Sequence, residues 1–159
     1  MGGFIYLSQE GYDKLKKELE ELKSVKRPEI AQKISEARDF GDLRENAEYH
    51  AAKEAMALLE NRIAQLEETL RRAKIINKKD LSDDQVSIYT TVLLKDLVRN
   101  QEVQYTLVSP EESDFKQKKI STTSPVGKAL LGKKVGDVVE IQVPAGTLRY
   151  EVLEIKLSI

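Results

Sequence analysis

Residues 47–73, AEYHAAKEAMALLENRIAQLEETLRRA, place Ala52, Met56, Leu59, Ile63, Leu66, Leu70 and Ala73 at alternating spacings of four and three. This is the apolar seam of a coiled coil, and it predicts a helix that packs along its length against another. Its partner lies upstream. From Tyr12 to Ala73 the chain has one proline and, apart from Gly41, no glycine, with Leu, Glu, Lys and Ala dominating; that is helix composition. Leu15, Leu19 and Leu22 repeat the rhythm, which resumes at Ile30, Ile34 and Ala37 after a slip near SVKRPEI. Pro28 marks a kink or change of register there, because it removes a backbone donor and crowds the preceding turn. Ser8 is the expected N-cap of the first helix, and Gly41 the break before the second. Two helices of roughly thirty residues, each ~45 Å long, joined by a short break should fold back as an antiparallel hairpin.

Beyond Asn77 the rhythm changes to two. VSIYTTVLL, EVQYTLVS, KKISTT, DVVEIQV and TLRYEVLEIKL are rich in Val, Ile, Thr and Tyr, and read as strands of a mostly antiparallel sheet. SPVGKALLGKKVGD, residues 124–137, predicts a short helix opening at Ser124 with Pro125 in its first position, and VPAGTL a tight hairpin connection. The polar segment 77–84 has neither period and separates a hairpin domain, residues 1–76, from a sheet domain, residues 85–159. The fold class is α+β.

The composition narrows function. In 159 residues, 26 basic side chains meet 27 acidic ones, so the basic excess typical of independent nucleic-acid binding is missing. There is no cysteine and a single histidine, His50, which leaves no usual zinc constellation and no Ser-His-Asp arrangement to defend. No Gly-rich phosphate motif appears, nor a signal segment or a run long enough to cross a bilayer; the sequence reads as cytoplasmic. His50 reads most simply as a surface residue of the second helix.

Charge is uneven nonetheless. Across residues 36–54, six acids (Glu36, Asp39, Asp42, Glu45, Glu48, Glu54) face three bases (Arg38, Arg44, Lys53), so the hairpin's tip is negative. Nearer its base, Lys14, Lys16, Lys17, Lys23, Lys26 and Arg27 on one helix and Arg71, Arg72 and Lys74 on the other form basic stretches. Most read as a solvated helix face with pairs such as Asp13 to Lys17 and Glu29 to Lys33. At the tip, Phe40, Leu43 and Ala47 would close the turn by packing beneath it, and Asp42 has two readings: a cap for the following helix, or a functional acid. A thin two-helix tip has no concave wall to orient a substrate. Two exposed carboxylates there suit a hard cation such as Mg²⁺, which takes one or two of them and finds its remaining ligands elsewhere, as at another molecule's active site.

The stretch EARDFGDLRENAEYHAAKE, residues 36–54, resembles the tip signature of the bacterial Gre transcript cleavage factors. The likeness extends through YDKLKKELEELKSVKRPEI before it and SDFKQKKISTTSPVGKALLGK and GDVVEI after it, with the modest basic stretches favouring the GreA type over the more basic GreB type. The resemblance implies an N-terminal antiparallel coiled coil and a C-terminal FKBP-like β domain. It also implies an accessory factor, not an enzyme by itself: a monomer when free that inserts its tip through the secondary channel of RNA polymerase and promotes cleavage of the backtracked RNA 3′ end. Asp42 and Glu45 match the two essential tip acids, which would share a Mg²⁺ ion with the polymerase. Arg38, Asn46, Glu48 and Tyr49 match supports of the tip, Lys53 a basic position near the extruded RNA, and Ser124 and Pro125 the surface that docks at the channel rim. Competing readings are a Gre-like channel inhibitor, against which the intact GDLRENAEY argues, a prolyl isomerase or chaperone built on the C-terminal fold, and a plain coiled-coil adaptor.

Overall fold

The computed structural model describes residues 3–41 and 45–158. The order of elements is β1 (Ile5–Leu7), α1 (Gln9–Glu21), a π-helical turn (Leu22–Lys26), α2 (Arg27–Arg38), α3 (Ala47–Arg72) and β2 (Ala73–Ile75), then β3 (Thr90–Asp96), β4 (Gln101–Val108), β5 (Lys119–Ser121), α4 (Pro125–Leu130), β6 (Val138–Val143) and β7 (Gly146–Leu157). The chain divides into two compact units, one of residues 1–5 and 12–74 and the other of residues 6–11 and 75–159.

In the first unit, α2 packs on α3 as the seam predicts. Leu15, Ala37, Ala52, Leu59, Ile63 and Leu66 are all buried, and the surfaces between them are exposed. The register slip takes a definite form: the five-residue π turn inserts its extra backbone just before Arg27, with Pro28 at the start of α2, where its missing N–H is tolerated. Ion pairs run across the hairpin at Glu18–Arg62, Lys23–Glu67 and Arg27–Glu60. Glu60 raises the Arg27 pKa above its usual value mainly by hydrogen bonding, and Glu18 does the same for Arg62. Of the basic stretch near the base, Lys23 and Arg27 thus go to carboxylates of the opposite helix, while Lys26 pairs with Glu29 and Arg71 with Glu68 along their own helices. Such half-exposed pairs set register more than they add stability.

In the second unit a five-stranded sheet has the order β5-β4-β3-β7-β6, antiparallel throughout except for β4 with β5. Val92 and Leu94 of β3, Leu107 of β4, Leu130 of α4, Ile141 of β6 and Val152 of β7 are buried together on one face. Alternation along β3 and β7 puts them there.

Three boundaries differ from the sequence reading. Helix α3 ends at Arg72, so Ala73 leaves the seam and starts β2, which pairs with β1 in a two-stranded sheet. Strand β3 begins at Thr90 because Tyr89 adopts a left-handed backbone (φ 64°) that breaks the pleat. Strand β5 stops at Ser121, where the chain turns into α4.

Candidate functional site at the hairpin tip

Helix α2 ends at Arg38, and the Asp39 and Phe40 amides turn back onto the carbonyls of Glu36 and Ala37 at 3.1 and 3.2 Å. Gly41 follows with φ 112°, a conformation open to glycine and strained for other residues. Asp42, Leu43 and Arg44 lie outside the described residues, so the predicted acid Asp42 and the predicted contact of Leu43 fall there. The chain resumes at Glu45, exposed in a bend, and α3 starts two residues later.

Asn46 joins the two ends. Its Oδ1 accepts from the Tyr49 amide at 3.0 Å, capping α3, while its Nδ2 donates to the Ala37 carbonyl of α2 at 2.6 Å. One side chain therefore satisfies an orphan donor of α3 and gives a carbonyl at the end of α2 a second donor beside the Phe40 amide. The N-cap of α3 is Asn46. The expected packing of Phe40 under the turn does not occur: its ring is 76% exposed, and Ala47 is exposed as well. Among the described residues, the turn is closed by hydrogen bonds.

The remaining tip residues divide by exposure. Arg38 is exposed in the last turn of α2 and Glu48 in the first turn of α3, the ends at which the helix dipoles favour their signs. Tyr49 is half-buried, its ring edge-on to His50 at 5.6 Å. Lys53 is exposed one turn further along α3. Among the described residues no ion pair engages Asp39, Glu45 or Glu48, and no group of three or more His, Asp and Glu lies close enough to hold a metal ion. Glu45 is an exposed carboxylate, a hard oxygen donor of the kind Mg²⁺ accepts.

Ser124 and Pro125 belong to the other unit. The Ser124 hydroxyl accepts from the Gly127 amide at 3.1 Å and donates to the Ser121 carbonyl at 2.6 Å, so both of its functions go to holding the β5–α4 turn. A Cβ on Gly127 would meet the Ser121 carbonyl oxygen at 2.1 Å, which is why the turn is so tight.

Two features escaped the sequence reading. Beside Phe40 a groove of about 350 Å³ runs between α2 and α3, lined by Ala37, Ala51, Ala52 and Ala55 with Lys33, Glu36 and Glu48 around it. In the second unit, Glu112 gathers the hydroxyls of Ser8, Tyr89 and Ser109, and Ser8 in turn accepts from the Gly11 amide at 3.0 Å as the N-cap of α1. The S-x-x-E spacing of Ser109 and Glu112 was the one local sign of this hub.

Two family models match the chain: "Transcription elongation factor, N-terminal" over residues 5–75, and "Transcription elongation factor, GreA/GreB, C-term" over residues 81–157. The transcription elongation factor GreA of Chloroherpeton thalassium is 57% identical over 153 residues, covering 96% of this chain and 97% of that one. That of Thermoanaerobacter pseudethanolicus is 54% identical over 152 residues, with the same coverage of 96% and 97%. Among solved structures, one of the transcription factor Gfh1 is 32% identical, covers 98% of this chain and 99% of its own, and superposes with a TM-score of 0.49.

Proposed function

The chain belongs to the GreA/GreB family of transcription elongation factors, and from that premise we propose that its hairpin tip enters the secondary channel of RNA polymerase and stimulates cleavage of the 3′ end of backtracked RNA. The observation that carries this reading is the tip itself: an exposed Glu45, with no ion pair among the described residues, carried at the end of a helix about 40 Å long and held there by the Asn46 clamp. A rod of that length with a charged end suits a deep and narrow site.

In this reading Asp42 and Glu45 would hold a Mg²⁺ ion jointly with the polymerase; when bound, that ion supplies a water of lowered pKa at the phosphodiester. The chain's own contribution is placement. Asn46 fixes where α3 begins, and therefore where Glu45 points; Glu48, Arg38 and Tyr49 shape the tip around it. Lys53, exposed one turn along, is positioned to meet a phosphate. The pinned turn at Ser124 and Pro125 offers the rim of the channel a rigid surface, since its hydroxyl and backbone are already committed. In this reading the chain acts as a monomeric accessory factor, its tip acids completing a site that the polymerase provides.

The test is a bacterial RNA polymerase stalled in a backtracked state with end-labelled RNA. Added chain should accelerate cleavage in Mg²⁺. Asp42→Asn or Glu45→Gln should abolish the acceleration while binding persists. Cleavage unchanged by either substitution rejects the shared-metal mechanism, and inhibition by the unaltered chain replaces it with the channel-inhibitor reading.

A further inference from the structure

We propose that the groove beside Phe40 receives a bulky apolar side chain flanked by lysine or arginine, presented by the wall of the polymerase channel; the inference rests on the channel reading above. The seam changes character along its length. Away from the tip it is filled by Leu59, Ile63 and Leu66, each at most 7% exposed. At the tip the equivalent space is left to Ala37, Ala52 and Ala55, and a groove of about 350 Å³ remains. Larger side chains there would bury more apolar surface and stabilise the hairpin, so stability alone does not account for the open space. Beside it stands an exposed phenylalanine, 76% accessible. An unfilled slot between two helices with an aromatic flank is the geometry that takes an anchor residue from a helix or loop of a partner.

Charge selects among occupants. Among the described residues that line the groove, Glu36 and Glu48 stand against one cation, Lys33. That balance repels the phosphates of RNA and attracts a cationic flank. It also disfavours a second copy of this chain, because pairing two tips groove to groove would set Glu36, Asp39, Glu45 and Glu48 of one against the same acids of the other. A protein segment with an apolar anchor and a neighbouring Lys or Arg meets both requirements.

The experiment titrates the chain against backtracked polymerase and reads both the concentration giving half-maximal cleavage and the plateau rate, with direct binding to polymerase measured in parallel. Phe40→Ala removes only an exposed ring and leaves the fold intact, as a thermal melt checks. It should raise the half-maximal concentration about tenfold with the plateau unchanged. Ala51→Leu, which crowds the groove from an exposed position, should do the same. Glu36→Lys should weaken binding and flatten its dependence on salt. If Phe40→Ala and Ala51→Leu both bind and act within twofold of the unaltered chain, the groove proposal falls and the cleavage reading stands. If the unaltered chain neither binds nor stimulates, both fall. Self-association of the unaltered chain in sedimentation that Ala51→Leu disperses would assign the groove to a second copy and overturn the proposal.

Discussion

Replacing Asn46 with alanine removes two interactions at once, and the geometry separates them. Loss of the cap to the Tyr49 amide costs about 1 kcal/mol. Removing the Asn46 amide from the Ala37 carbonyl, at a residue only 3% exposed, leaves that oxygen its bond from the Phe40 amide and adds about 1 kcal/mol, the net worth of one hydrogen bond. Local opening of the tip should then be about 2 kcal/mol easier, which corresponds to roughly thirtyfold faster amide exchange. The decisive comparison is Asn46→Asp. A carboxylate still accepts from Tyr49 and interacts favourably with the α3 N-terminus, but it has nothing to donate to Ala37. Hydrogen exchange read residue by residue should therefore show both the Tyr49 and Phe40 amides accelerated in Asn46→Ala, and the Phe40 amide alone in Asn46→Asp. Unchanged exchange at Tyr49 in Asn46→Ala, or equal acceleration there in the aspartate variant, would refute the clamp.

Two further outcomes follow from the sheet unit. Gly127→Ala must push the Ser121 carbonyl from 2.1 Å, and since that atom is backbone the β5–α4 turn has to move; the melting transition should fall by the equivalent of about 1–3 kcal/mol, and an unchanged transition would show the turn to be slack. Alkaline pH should weaken the same unit, because burial pushes the Tyr150 phenol up to about 12, and Tyr89 is raised in the same direction by burial and then by Glu112. A raised folded pKa means that the stabilisation is complete below the ordinary phenol value near pH ~10 and is lost as pH climbs toward ~12, about 2–3 kcal/mol for Tyr150. Denaturant midpoints measured on either side of that window should converge for Tyr150→Phe relative to the unaltered chain; a parallel loss in both would discount Tyr150.

The hairpin was legible because its information is local and periodic. Leu59, Ile63 and Leu66 recur at helical spacing, and their burial follows from that spacing alone. Ser8, Ser124, Pro28 and the break at Gly41 were readable for a similar reason, since caps and breaks depend on a few neighbouring residues. What escaped was either too short or too distant. Strands β1 and β2 are three residues each, too brief for a period to register, so Ala73 was absorbed into the seam it adjoins. Glu112 meets Ser8 and Tyr89 across long stretches of chain, and nothing in the neighbourhood of any one of them names the others. Phe40 was misplaced because its apolar character predicts burial, whereas the donor and acceptor of Asn46 already close the turn and leave the ring outside.

The crowding of acids around Gly41 can be understood in the same terms. The hairpin brings the C-terminal end of α2 and the N-terminal end of α3 to the tip, and the partial positive charge of the latter favours Glu48 in its first turn, by about 0.3–1 kcal/mol. Glu45 and Glu48 are exposed, so water screens their mutual repulsion, and no described ion pair depends on them. The stalk behaves in the opposite way: there the acids Glu18, Glu60 and Glu67 are matched to Arg62, Arg27 and Lys23 across the seam. Carboxylates are thus tied into the register where the hairpin needs alignment and released where it ends. Neutralising Glu45 removes a charge that no ion pair among the described residues uses, so a loss of cleavage in Glu45→Gln, with its melting transition unchanged, reports on chemistry at the tip and not on the integrity of the rod that carries it.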